Sequence, residues 1–251
     1  LGMQWERALR PYTKKIFVID DLANRKHDCD FLLDQNYVIK NHDRYANIVP
    51  KKCILFLGPQ YALLQKDYEA RRKRIRTKVN RLLIFFGGHD NYSLSLRTLK
   101  CILKMKLSNV SIDIVISLKD ESLNDMKIIS KGYSNIFFHH GLASLANLIY
   151  KSDLAIGTGG ISLWERCILG LPAIVTTVSE NQIESSKSLS EVGAIKLLGH
   201  VDDFSNENFI SVLKKLKEDE KELSLMSKNA IKVMQDWSYS SISKKILYEF
   251  R

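Results

Sequence analysis

Asp153-Leu-Ala-Ile-Gly-Thr-Gly-Gly-Ile-Ser-Leu-Trp-Glu-Arg-Cys-Ile-Leu-Gly-Leu-Pro172, continued by Ala173-Ile-Val-Thr-Thr177 and Glu180-Asn-Gln182, reads as strand, glycine turn, helix, strand and acidic turn. Residues 153–157 are the short apolar run of a buried parallel strand. Thr158-Gly159-Gly160 then turns the chain into a helix over residues 162–169, which Gly170 closes. In open α/β sheets ligands bind at the carboxyl ends of strands, where glycines admit close backbone approach and helix amino termini offer free N–H groups to an anion. The stretch therefore has the layout of a phosphate crevice. Glu165, in the first turn of that helix, is placed to accept hydrogen bonds from the hydroxyls of a sugar whose phosphates rest on the turn. The plainer reading is that it complements the helix dipole.

The pattern repeats on either side. Residues 82–86 form an apolar strand that runs into Gly87-Gly88-His89-Asp90-Asn91, and Leu96, Leu99, Ile102 and Leu103 mark one face of the next helix. Strands over 110–116 and 135–138 follow, the second ending at His139-His140-Gly141, and Leu145, Leu148 and Ile149 mark another helix. Beyond the opening stretch come a helix over 182–191, a strand over 194–198 and a helix carrying Phe209, Val212, Leu213 and Leu216. Strands alternating with helices predict an α/β fold with a doubly wound, Rossmann-like parallel sheet.

Upstream, residues 16–21, 29–34 and 53–57 are strands with little helix between them, as at the tail of a second α/β domain. Asp20 and Asp21 end the first of these strands, either as turn caps or as site residues. Ile242, Ile246, Leu247 and Phe250 place an amphipathic helix at the end. The expected division is a partial amino-terminal domain with a basic linker over 1–78, a nucleotide-binding domain over 79–236, and a terminal helix over 237–251 that packs back on the first domain.

The chain has 251 residues, of which 45% are hydrophobic and 26% charged, enough to bury the core of one large or two smaller domains. It has no apolar run of membrane-spanning length and no apolar signal segment, which predicts a cytoplasmic location. Cys29, Cys53, Cys101 and Cys167 lack metal-ligand spacing and read as free thiols, and neither a metal nor a cofactor is expected. Much of the net charge of +10 lies in Arg71-Arg-Lys-Arg-Ile-Arg-Thr-Lys78 and in the lysine-rich last third. With no aromatics interleaved for base stacking, the run reads as a solvated interdomain segment rather than a nucleic-acid surface; weak attraction to an acidic membrane surface is the second reading. No obligate protein partner is expected.

Two glycine pairs that both follow apolar strands open on the same edge of one parallel sheet. With Glu165 on one following helix and Asn181-Gln182 on a neighbouring loop, the ligand is anionic at one end and hydroxyl-rich at the other, as a nucleotide sugar is.

Gly87-Gly-His-Asp90, the 153–172 stretch and Glu180-Asn-Gln182 resemble the carboxyl-terminal domain of the pseudaminic-acid-pathway UDP-sugar hydrolases, of the glycosyltransferase-B-like group. Asp20-Asp-Leu-Ala-Asn-Arg-Lys-His-Asp-Cys-Asp-Phe-Leu-Leu-Asp-Gln-Asn36 is similar to the end of the same family's amino-terminal domain. The resemblance implies hydrolysis of UDP-2,4-diacetamido-2,4,6-trideoxy-β-L-altropyranose to UDP and free sugar. By motif position it assigns Glu165 to the ribose, Gly159, Gly160, Ile161 and Ser162 to the diphosphate, and Gly87, Gly88, His89, Asp90 and Asn91 to the substrate face of the crevice. The family's general base is a histidine in a Gly-His-x-x-Arg setting after the first strand of the amino-terminal domain. This sequence contains no such motif, which the resemblance reads as a chain that begins partway through that domain. The catalytic residue is therefore unassigned; His89, His139 and His140 are the histidines near the sheet edge, and His89 in the glycine turn is the first candidate. Three readings stand: a UDP-sugar hydrolase, a glycosyltransferase of the same group, or a non-catalytic nucleotide-sugar-binding module.

Overall fold

The computed structural model describes all residues except Lys40, Asn41, His42, Arg72, His89, Asn91, Ser108, Phe250 and Arg251, and the side chains of Ser241, Ile242 and Ile246. The expected roles of His89 and Asn91, and the apolar positions Ile242, Ile246 and Phe250, therefore lie outside the described residues. In chain order the structure contains α1 (Met3–Leu9), β1 (Phe17–Ile19), β2 (Phe31–Asp34), β3 (Ile54–Leu57), β4 (Arg81–Phe85), α2 (Leu94–Lys104), β5 (Ser111–Val115), α3 (Leu123–Ile129), β6 (Ile136–His139), α4 (Ala146–Lys151), β7 (Leu154–Gly157), α5 (Ile161–Ile168), β8 (Ala173–Thr177), α6 (Glu180–Glu191), β9 (Ile195–His200), α7 (Asn206–Glu218), α8 (Glu220–Val233) and α9 (Tyr239–Glu249). It divides into two compact units, Leu1–Leu64 with Met234–Arg251, and Gln65–Val233.

The first unit holds a parallel sheet of order β1-β2-β3. β2 is buried throughout: Leu32 packs with Ile16, Cys29 and Tyr45 on one face, and Phe31 and Leu33 with Phe56 on the other. The fold brings Cys29 and Cys53 together, with their sulfurs 3.6 Å apart, and all four cysteines are free. Asp20 caps the turn after β1 by accepting from Ala23 N at 2.8 Å, pairs with Arg25 at 2.5 Å, and accepts from the Tyr45 hydroxyl at 3.1 Å. Its carboxylate is thus held by structural partners. Near the end of the chain, Trp237 is buried and its Nε1 donates to Ala62 O at 2.8 Å. Leu247 is exposed.

The second unit is one six-stranded parallel sheet of order β6-β5-β4-β7-β8-β9. Ile112, Ile114, Leu82 and Ile84 point into a core with Leu99 and Ile102 of α2, Met126 of α3 and Phe209 and Leu213 of α7. The opposite face carries Leu83 and Ala155 of the sheet near Leu145, Ile149 and Ser162. Both faces are covered, which is why β4 and β7 read as apolar runs rather than alternating ones. No helix of the described residues is long and apolar enough to cross a membrane.

Lys73, Thr77 and Lys78 of the basic segment are exposed, as a solvated run requires, but two of its arginines are not. Arg76 is buried, and its guanidinium donates to Ile149 O at 3.0 Å, Ser152 O at 3.2 Å, Arg74 O at 2.5 Å and Leu169 O. The Ile149, Ser152 and Leu169 carbonyls lie where α4 and α5 end, so the arginine satisfies acceptors those helices leave open, and burial lowers its pKa to about 9. Arg74 pairs with Asp153 at 2.6 Å, and the other oxygen of Asp153 accepts from Asn80 N and Arg81 N, each at 2.9 Å. The segment is a clamp at the amino-terminal edge of the sheet.

Candidate functional site

The chain leaves β4 toward β5 on one side and returns through β7 on the other, so the direction of winding reverses between β4 and β7. That switch point opens a crevice at the carboxyl ends of these two strands. Both glycine turns flank it: Gly87 and Gly88 follow β4, Thr158 to Gly160 follow β7, and Phe85 pairs with Gly157 across the gap.

Two glycines of the second turn are required for different reasons. Gly160 has φ +97°, a conformation that strains any residue with a side chain. Gly159 has no room for one, because a Cβ there would lie 2.9 Å from both Gln182 Cβ and Ser186 Oγ. The turn is braced from beneath by Arg166. Its Nη2 donates to Thr158 O and, at 3.2 Å, to Ser162 Oγ, while Nε donates to Ser162 O at 2.9 Å. Arg166 is buried and forms no ion pair among the described residues, and burial lowers its pKa to about 10. Arg166 takes up the Thr158 and Ser162 carbonyls, and no side chain caps the start of α5. This combination suits an anion.

Glu165, half-buried on α5, has its pKa raised chiefly by burial, with the neighbouring Tyr68 hydroxyl and Arg166 pulling it down. Its carboxylate is a strong acceptor next to the anion turn.

Asn181 and Gln182 do not lie on a loop, which corrects the sequence reading: α6 begins at Glu180 behind Ser179, so both occupy its first turn. Ser179 stands at the N-cap position without a side-chain bond to the helix backbone, and the expected start at residue 182 falls two residues late. Gln182 Oε1 accepts from Val178 N at 3.1 Å, which fixes its side chain against the Gly159 turn. Ser179 Oγ donates to Asn181 Oδ1 at 2.6 Å.

The first glycine turn differs. Asp90 uses both carboxylate oxygens to cap α2, accepting from Leu94 N at 2.9 Å and Ser95 N at 2.6 Å. Gly88, Asp90, Ser93, Ser117, Lys119 and Asp120 border a polar cavity of about 290 Å³ beside the crevice.

The other two histidines hold structural positions. His139 Nε2 contacts Asp113 Oδ1 at 2.7 Å, within a group in which the fully buried Asp113 also accepts from Arg81 Nε and Nη2 at 2.5 and 2.9 Å. His140 Nδ1 contacts Ile116 O at 2.9 Å. Among the described residues no group of three or more His, Cys, Asp or Glu could hold a metal ion.

The glycosyltransferase family 28 C-terminal domain matches residues 82–240, more than half of the chain and nearly all of the crevice-forming unit. The chain belongs to that family. It is 32% identical over 179 residues to the UDP-2,4-diacetamido-2,4,6-trideoxy-β-L-altropyranose hydrolase of Campylobacter jejuni, covering 71% of this chain and 63% of that one. It is 25% identical over 150 residues to the spore coat polysaccharide biosynthesis protein SpsG of Bacillus subtilis, covering 58% of this chain and 44% of that protein. The chain thus spans less than two thirds of the length of the curated relatives it matches. MurG of Acinetobacter baumannii superposes with a TM-score of 0.60 at 13% identity, over 96% of this chain and 68% of that one. The fold is of the glycosyltransferase-B type, with two parallel sheets of Rossmann-like character.

Proposed function

We propose that the family 28 unit of this chain binds the UDP portion of a UDP-sugar, with the diphosphate on the Gly159-Gly160 turn and the ribose hydroxyls on Glu165. The observation that carries this reading is the pairing of an anion-accepting helix start over the buried Arg166 with a half-buried carboxylate one turn along the same helix. The family and the similarity to a UDP-sugar hydrolase support it.

The proposed reaction is hydrolysis of a UDP-linked diacetamido-trideoxy sugar, in the cytoplasm, to UDP and the free sugar. Water attacks the anomeric carbon as UDP leaves, and a base takes the water's proton. The N–H groups at the start of α5 would stabilise negative charge developing on the leaving diphosphate. Glu165 binds and orients. Transfer of the sugar to a hydroxyl acceptor is the second reading, favoured by membership in a glycosyltransferase family, and product analysis separates the two.

Calorimetric titration with UDP tests the site. Micromolar binding that weakens by about 1–3 kcal/mol in Glu165→Ala supports the assignment of the ribose contacts. A folded chain that binds UDP equally well after the substitution sinks it.

A further inference from the structure

Just before the basic clamp, the 3-10 turn Lys66–Tyr68 is fastened to the loop that follows β6. Gln65 Nε2 donates to Ala143 O at 3.1 Å, and Ser144 Oγ donates to Asp67 Oδ2 at 2.5 Å while accepting from Ala146 N at 3.1 Å. These bonds hold in place the turn that carries Tyr68. The residue is 1% exposed, and its hydroxyl lies beside the Glu165 carboxylate, with Ser144 and Asp67 as its other polar neighbours. Yet among the described residues no hydrogen bond of ordinary geometry is completed at the Tyr68 oxygen, and Asp67 Oδ1 is likewise buried without a partner.

A buried tyrosine hydroxyl ordinarily finds a partner, and phenylalanine would fill the same volume with no polar atom to strand. A purely packing role therefore leaves the oxygen unexplained. The group it faces is the carboxylate assigned above to the ribose.

We infer that Tyr68 is the positioning residue for Glu165: its hydroxyl donates to the carboxylate when a vicinal diol occupies the carboxylate's other side, and so holds it charged and oriented for the ribose. The inference rests on the proposed ribose role of Glu165 and adds to it the source of ribose specificity.

The charges around Glu165 agree. Burial pushes its pKa up and Asp67 adds to that, whereas the Tyr68 hydroxyl and Arg166, on the same helix, push it down. A donor to the ionised form favours that form, so the hydroxyl opposes the two effects that would neutralise the carboxylate. Removing it should raise the Glu165 pKa further. Binding that requires the carboxylate would then fail at a higher pH.

The test is calorimetric titration of the full chain with UDP and with 2′-deoxy-UDP across a pH series, for the unmodified protein, Tyr68→Phe and Glu165→Gln. The expected result for Tyr68→Phe is UDP binding weakened about five- to twentyfold at neutral pH, a smaller loss for the deoxy analogue, and an acid limb displaced upward. Phenylalanine keeps the ring, and an unfolding curve matching that of the unmodified protein confirms the fold. Unchanged UDP affinity in Tyr68→Phe overturns the inference. So does an equal loss for both nucleotides with the acid limb in place, which is the signature of packing alone. If Glu165→Gln removes the preference for UDP over its deoxy analogue and Tyr68→Phe does not, the ribose assignment stands and only the positioning role falls. If the unmodified chain shows no such preference and Glu165→Gln binds as well, the ribose assignment itself is lost.

Discussion

Gln182 crosses so close to Gly159 that a methyl group on the glycine would lie 2.9 Å from Gln182 Cβ. The turn after β7 and the first turn of α6 are therefore packed as one surface, and Ser186 Oγ, also 2.9 Å from that methyl position, closes the space beneath. Gly159→Ala forces the turn or α6 to move. A strain of about 1–3 kcal/mol is expected in urea unfolding, with UDP affinity falling by at least about tenfold because the N–H groups leave their alignment. Gly88, where the corresponding position meets no atom of the described residues within 4 Å, provides the contrast. An alanine there should leave stability within about 0.5 kcal/mol of the parent.

Arg76 is the second position at which a substitution should be costly. Its guanidinium bonds to carbonyls of Ile149, Ser152, Arg74 and Leu169, all inside the unit. Arg76→Met fills part of the space but leaves these acceptors unpaired in a buried setting, with an expected loss of about 3 kcal/mol or more. Arg76→Lys should rescue little, since an ammonium cannot serve a fork of carbonyls. Chemical denaturation measures both. Equal stability of the lysine variant and the parent would show that charge alone matters there.

The parallel sheet and both glycine turns were legible because β4 and β7 are buried on both faces and announce themselves as apolar runs ending in glycine. Glu165 stands where its spacing put it, on the helix that follows the second turn. Arg166 and Tyr68 were not legible. One is an ordinary helix residue whose meaning comes from the carbonyls of Thr158 and Ser162, and the other is brought to Glu165 from nearly a hundred positions earlier by bonds that only the fold creates. Arg76 was hidden within a run of like charges that composition alone assigns to solvent. Helix α8 had a readable signal that the sequence analysis left unused: Leu223, Met226 and Ala230 recur at steps of three and four residues, and all three are buried. Asp113 and His139 came together for a different reason. Their strands, β5 and β6, are adjacent in register, which no local pattern encodes.

Glu165 should trade stability for binding. Burial raises its folded-state pKa above the unfolded value, so the folded chain holds the proton more firmly. Stability from this group is then complete at low pH and is withdrawn as pH rises from the unfolded pKa through the folded one. At neutral pH the charge is a cost that Glu165→Gln removes. The variant should melt at or above the temperature of the parent at pH 7, with the gap closing in acid, while losing about 1–3 kcal/mol of UDP binding. Thermal unfolding at the two pH values decides; a glutamine variant that is less stable at neutral pH contradicts the sign.

Arg166 provides the sharpest separation of charge from shape. Its planar head holds Thr158 O, Ser162 O and Ser162 Oγ simultaneously, which ties the first turn of α5 to the strand end before it. Arg166→Lys retains a cation but only one point of attachment, and Arg166→Met retains neither. If the arginine acts mainly by bracing, both variants lose about 2–4 kcal/mol of stability and both weaken UDP about equally. If its charge also draws the diphosphate through the turn, lysine should bind UDP more tightly than methionine, by about 1 kcal/mol, with no such gap for uridine, which carries no phosphate. The structure favours the second outcome, because no carboxylate among the described residues pairs with the guanidinium. Calorimetry with UDP and uridine on the two variants distinguishes them, and an identical UDP affinity for lysine and methionine would confine Arg166 to holding the turn.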